Sequence, residues 1–144
     1  MVSSFGTDQE RRSRGMTKKD LRKYLDLRLR LAEDKIESAR ILLDNEKFRD
    51  SVSRSYYAMF YAARALLLSK GEDATSHKGV KILFGKHFVK GKIIDKSYGR
   101  MLAVVQKART DADYEEDLEV TREDAGEALS AAARFVNKIK ELLK

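Results

Sequence analysis

Arginine and tyrosine side chains recur at helical spacing in one stretch of the chain. Arg54 and Tyr61 are seven residues apart, two turns on one helix face, with Tyr57 between them and Arg64 one turn beyond. Guanidinium groups offer planar, two-pronged donors to phosphate, and tyrosine rings can stack on bases or hydrogen-bond to phosphate. The spacing therefore fits an anion or phosphate site. It equally fits a structural arrangement in which Asp50 and the phenol hydroxyls hold Arg54.

The segment that carries these residues is strongly apolar. Between Tyr56 and Leu68, twelve of thirteen side chains are apolar or aromatic, and only Arg64 interrupts them. A helix that is apolar all round is buried. It is too short to cross a bilayer, which needs roughly 20 apolar residues. This pattern predicts the central helix of a small bundle.

The other segments also show helical periodicity. Thr17 is predicted to cap a long first helix, and a turn at 45–47 leads into the central helix, which ends near Lys70 and Gly71. A short helix is expected from Thr75 or Ser76 to about Phe88, and an irregular basic loop over 87–94. A fourth helix should run from about 94 to about 110, and a capping box at 121–124 should start the last one. The chain is therefore predicted to be all-α, an antiparallel four-helix bundle with an additional short helix.

Composition excludes several kinds of chemistry. The chain has 144 residues and no cysteine, so disulfides, thiol catalysis and cysteine zinc sites are excluded. Its two histidines, His77 and His87, leave little for a histidine metal site, and the carboxylates lack metal-binding spacings. We expect no metal and no cofactor.

The formal net charge of +7 is unevenly distributed. Residues 76–109 hold nine basic side chains against Asp95, whereas residues 111–127 hold nine acids against Arg122. Such a division suits binding to a polyanion, head-to-tail or two-fold protein association, or simply two solvated faces.

The first residues do not fit the bundle pattern. Residues 1–16 lack the apolar core of a signal peptide and are predicted to be a flexible leader, followed by one domain over 17–144. No membrane span is predicted, and we expect a cytoplasmic protein.

Three sequence blocks resemble the HEPN domain (higher eukaryote and prokaryote nucleotide-binding). They are residues 53–67 (SRSYYAMFYAARALL), residues 76–80 with 84–89 (SHKGV and FGKHFV), and Arg109 with the Ala-Asp-Tyr of 112–114. They occur in the family's order, and the resemblance spans roughly 18–143. It implies a helical bundle that usually dimerises and is often encoded beside a minimal nucleotidyltransferase in toxin–antitoxin-like pairs.

The resemblance also implies candidate catalytic residues. Many members of the family are metal-independent ribonucleases that use an Arg, four to six residues, then a His, with groups from two subunits meeting at the dimer interface. Arg54 matches that Arg, but after six intervening residues Tyr61 stands in place of the His. A phenol of pKa about 10 replaces an imidazole of about 6.5 less well as a proton carrier at neutral pH. Tyr61 could still donate a proton or orient phosphate, and Tyr61 or Tyr57 could be modified with AMP.

Two further features are open to both interpretations. His77 could supply the catalytic imidazole, or it could be a local cap or packing residue. Arg109, Asp113 and Tyr114 are expected to form a structural hydrogen-bond and ion-pair cluster at the end of the fourth helix.

Three functions follow from these features. The first is a dimeric nucleotide- or RNA-binding component of a nucleotidyltransferase–HEPN pair, with phosphate-binding residues Arg54, Tyr57, Tyr61, Arg64 and Lys78. The alternative is a metal-independent endoribonuclease toxin that uses Arg54 with Tyr61 or His77. The third is a non-catalytic bundle that binds a partner protein, for which charge reversal in the acidic segment should abolish binding.

Overall fold

The computed structural model of the chain describes residues 16–144, so the predicted leader lies outside the described residues apart from Met16. Five α-helices account for most of this part of the chain, which contains no β-strand. They are α1 (Lys18–Asp44), α2 (Phe48–Leu68), α3 (His77–Phe84), α4 (Lys96–Tyr114) and α5 (Arg122–Leu142). The all-α prediction is confirmed.

Helices α1 and α2 form an antiparallel hairpin. The Thr17 hydroxyl accepts the Asp20 amide at 3.0 Å, which caps α1 as predicted. The Arg28 guanidinium donates to the Arg64 carbonyl, so the first half of α1 lies beside the end of α2. The Ser51 hydroxyl donates to the Ala39 carbonyl, so the start of α2 lies beside the end of α1.

Helix α2 is the centre of the bundle. Thirteen of its 21 residues are buried, and it packs against α1, α3, α4 and α5. Small residues on α5, such as Ala125, Ala128 and Ala132, are buried and let the helices approach closely. After α2 the chain turns at Gly71, whose φ of 82° is readily adopted by glycine.

The short helix α3 ends at Phe84, before its predicted end near Phe88. Ser76 caps α3 through the Gly79 amide at 2.9 Å, but the chain then continues as a π-helical turn over Gly85–Val89. The predicted loop over 87–94 is therefore wrong for its first residues. Phe88 is buried beside the Phe84 ring, and its carbonyl accepts the amides of Ile93 and Ile94. Burial of this aromatic side chain favours helical continuation at a site where the local sequence suggests a loop.

Helix α4 ends four residues later than predicted, at Tyr114 instead of near Thr110. Lys107 pairs with Asp111 at 2.8 Å and Arg109 with Asp113 at 2.9 Å, each one turn apart. These pairs, together with the buried Ala112, stabilise a last turn whose acidic sequence looked unfavourable.

The predicted capping box of α5 is confirmed. The Thr121 hydroxyl accepts the Asp124 amide, and the Asp124 carboxylate accepts the Thr121 amide.

Candidate functional site

Arg54 lies exposed on the outer face of α2. No hydrogen bond or ion pair joins its guanidinium to any of residues 16–144. The structural alternative, in which Asp50 and phenol hydroxyls hold Arg54, is therefore not what the structure shows. The group remains available to an anion.

Tyr57, one turn after Arg54, is half-buried and belongs to a cluster centred on Arg109 of α4. The Arg109 Nη2 donates to the Tyr57 hydroxyl at 3.1 Å, and Nε lies 2.9 Å from the Asp113 carboxylate. The guanidinium carbon lies 5.3 Å from the centre of the Tyr57 ring and 5.6 Å from that of Tyr56. Arg109 is thus held on several sides.

His77, the first residue of α3, lies against the same tyrosines. Its Nδ1 shares a 2.6 Å hydrogen bond with the Tyr56 hydroxyl, and its ring centre is 4.6 Å from that of Phe60 and 5.8 Å from that of Tyr57. Burial, and secondly the charge of Arg109, lower the pKa of His77 below its usual 6.5. The imidazole is therefore neutral at pH 7, the form that accepts a proton.

Tyr56 holds the His77 ring through this hydrogen bond and keeps its own phenol proton. Burial raises the pKa of Tyr56 to about 12, against a smaller lowering effect of Arg109. The phenol stays protonated at neutral pH. When its hydroxyl donates to Nδ1, the neutral imidazole carries its own proton on Nε2.

Arg64 lies in a second, separate cluster. Its Nε donates to the Ala74 carbonyl at 2.9 Å, and its Nη2 lies 3.4 Å from the carboxylate of Asp73. Asp73 is only 2% exposed and also receives Arg28 at 2.6 Å. Arg64 is therefore a structural residue that ties the loop after α2 onto the helix. It is poorly placed to bind a ligand as well.

The remaining predicted site residues occupy the same outer surface without polar contacts between them. Tyr61 is half-buried, and its ring meets Phe60 edge-on at 5.9 Å. Lys78 is exposed beside His77. Asp113 joins Arg109 as predicted, but Tyr114, expected in the same cluster, is 77% exposed.

The structure therefore brings His77 and Tyr57 together, while Arg54 lies one helical turn away. Sequence reasoning missed Tyr56 and gave Arg109 only a structural role. One signal was available: four residues separate Arg109 from Tyr114, so this pair also fits the Arg-to-His spacing, again with tyrosine in the place of histidine.

Within residues 16–144, no three His, Asp or Glu side chains converge as they would around a metal ion. None of the helices between those residues is long and apolar enough to cross a membrane.

Comparison with known proteins gives a consistent picture. The chain is 37% identical over 131 residues to "Putative toxin MJ0605" of Methanocaldococcus jannaschii. This aligned region covers 91% of this chain and 97% of the relative. It is 33% identical over 122 residues to a "UPF0332 protein" of Thermotoga maritima, covering 85% and 92%. A "UPF0332 protein PH1297" of Pyrococcus horikoshii is 45% identical over 83 residues, 58% of each chain.

The HEPN domain matches residues 25–142, which include all five helices except the first residues of α1. The same range contains Arg54, His77 and Arg109. This protein belongs to the HEPN domain family.

Proposed function

We propose that this protein is a toxin-type HEPN protein that binds RNA or a nucleotide as a homodimer and works with a minimal nucleotidyltransferase. One observation carries the proposal: Arg54 is exposed and unpaired among residues 16–144, one and two turns before the half-buried Tyr57 and Tyr61 on the same helix. A guanidinium beside aromatic rings suits a phosphate next to a base. Two relatives, at 37% and 33% identity, carry the word toxin in their names.

Exposed apolar residues on α1 support the homodimer. Tyr24, Leu27 and Leu31 recur at helical spacing and are each about 40% exposed. The hydrogen bond from Arg28 to the Arg64 carbonyl places this stretch beside the second half of α2. A second copy that covered it would remove these three side chains from water in a two-fold interface.

Binding of a labelled single-stranded RNA, followed by fluorescence anisotropy at low salt, tests the role of Arg54. Arg54→Ala should weaken binding about tenfold, the cost of one charge-assisted phosphate contact of about 1.4 kcal/mol. Arg134→Ala removes another exposed arginine, on α5, and should leave affinity unchanged. Equal losses in both variants would mean that overall charge, and not this site, binds RNA.

The nucleotidyltransferase partner is tested separately. The adjacent reading frame should encode Gly-Ser followed by paired aspartates, and its product should co-purify with this chain when both are expressed together. A stable dimer that never retains that product would contradict this part of the proposal.

A second candidate function is metal-independent RNA cleavage, and the His77 geometry favours it. Cleavage uses the tautomer in which Nδ1–H donates to the Tyr56 hydroxyl, because Nε2 is then free to take the 2′-hydroxyl proton. The exposed Arg54 supplies a guanidinium for the scissile phosphate. Cleavage of an RNA pool in EDTA should then be lost in His77→Gln and in Arg54→Ala. Tyr61→Phe would show whether that phenol contributes. Cleavage that survives His77→Gln would remove this candidate.

A further inference from the structure

An apolar groove lies between α4, α5 and the acidic segment that joins them, residues 115–121. Its volume is about 690 Å³. Buried Val52 and Ala128 contribute to its lining, together with Val104, which is 66% exposed, and Leu118 and Val120. We name it the acidic groove, because acids surround these apolar side chains. Val52 stands two residues before Arg54, roughly 200° around α2, so the groove lies on the other side of the helix.

The wall formed by the joining segment is anchored to the bundle. The Arg49 guanidinium donates to the Ala112 and Leu118 carbonyls, which fixes both ends of the acidic turn against α2. Arg122, the first residue of α5, stacks over the Phe48 ring at 5.1 Å. The groove is therefore a preformed surface, because contacts outside it fix the segment that forms its wall.

The charge around the groove is one-sided. Four acids contribute to its lining, Asp111, Glu119, Asp124 and Glu127, of which Asp111 is paired with Lys107. Among the described residues that line it, Arg100 is the one base. Glu119 and Glu127 are exposed and pair with no base among residues 16–144. Further exposed acids flank the rim, namely Glu115, Glu116, Asp117 and Glu123. Such a rim attracts cations and repels RNA.

We propose that the acidic groove binds a basic amphipathic segment of a partner protein. Apolar side chains at one-turn spacing fit against Val104, Leu118 and Val120, while lysines or arginines meet the acidic rim. This goes beyond the proposed function, because it needs neither Arg54 nor nucleic acid.

A second copy of this chain fits the groove less well. The nine basic residues of 76–109 lie on α3, on α4 and between them, and apart from Arg100 none of them lines the groove. Pairing the groove with that surface is head-to-tail, and such contacts extend into rings or filaments instead of stopping at a dimer.

The probe is a synthetic amphipathic peptide of about 16 residues, with leucines at one-turn spacing and lysines between them. Its binding to the full chain is followed by anisotropy. Glu119→Lys combined with Glu127→Lys should weaken binding at least about tenfold, and Val104→Asn about threefold or more. Two matched controls should bind as the unaltered chain does: Ile82→Asn, an apolar residue 55% exposed on α3, and Glu37→Lys, an exposed acid on α1.

Two sibling peptides separate charge from apolar contact. Replacing the leucines with asparagine, or the lysines with glutamate, should each abolish binding. Failure of the original peptide to bind, equal binding by the asparagine peptide, or equal loss in the controls would overturn the proposal. So would a dimer on size-exclusion chromatography that Val104→Asn dissociates, since the occupant would then be a second copy. Val104→Asn leaves the charge unchanged and should keep RNA affinity, and Arg54→Ala should keep peptide affinity, so this proposal and the proposed function fail separately.

Discussion

Arg54 and Arg64 stand on the same helix and have opposite environments. Arg64 donates to the Ala74 carbonyl, approaches Asp73 at 3.4 Å and stacks over the Phe60 ring at 5.8 Å. Arg54 is exposed and has no such partner within residues 16–144. Both are arginines on a largely buried helix, so residue type alone does not separate them. What separates them is the loop after α2, which folds back over Arg64 and leaves Arg54 uncovered.

The largest expected effect comes from removing the carboxylate that this loop supplies. Asp73→Ala leaves the Arg28 and Arg64 guanidinium groups without their shared buried anion, which should lower the free energy of unfolding by about 3–5 kcal/mol. Urea denaturation followed by circular dichroism measures it. Asp50→Ala, an exposed acid one turn before Arg54, should change stability by less than about 0.5 kcal/mol. Similar values for the two variants would contradict the contrast.

A smaller effect should separate the two arginines themselves. Arg64→Ala removes a charge-assisted hydrogen bond and a half-buried ion pair, and should cost about 1.5–3 kcal/mol of stability. Arg54→Ala removes no intramolecular contact among the described residues and should stay within about 0.5 kcal/mol. The same urea experiment measures both. A loss of more than about 1 kcal/mol in Arg54→Ala would show that this arginine has a structural role.

The sequence predicted the bundle well because its helices are set by local signals. The apolar run of α2, the Thr17 and Ser76 caps and the capping box at Thr121 each depend on residues within a few positions of one another. Where a distant contact decides, prediction failed. Burial of Phe88 converts a predicted loop into a π-helical turn, and the last turn of α4 forms although its acidic residues suggested otherwise.

The candidate site was predicted only in part for the same reason. Arg54, Tyr57 and His77 could be named from spacing and from the resemblance. The sequence did not show that Tyr56 and Arg109 are the partners of His77 and Tyr57. The hydrogen bonds that define this cluster join α2 to residues 21 and 52 positions away. Nor did the sequence distinguish the paired Arg64 from the exposed Arg54, because Asp73 lies next to Arg64 only after the loop has folded.

The smallest expected effect is a pH dependence at His77, the residue that the Asp73 loop delivers to Tyr56. Burial and Arg109 lower its pKa in the folded chain, so below pH 6.5 the unfolded chain binds more protons. Stability contributed by His77 should therefore be complete above about pH 6.5 and decline as pH falls from there towards the lower folded pKa. Urea denaturation at about pH 7.5 and 5.5 should show this decline in the unaltered chain and in His87→Gln, and a weaker one in His77→Gln. If His77→Gln retained the full decline, the imidazole would not be held neutral against Tyr56. The loop after α2 would then still explain the difference between Arg54 and Arg64, but it would not determine the protonation of His77 in the candidate site.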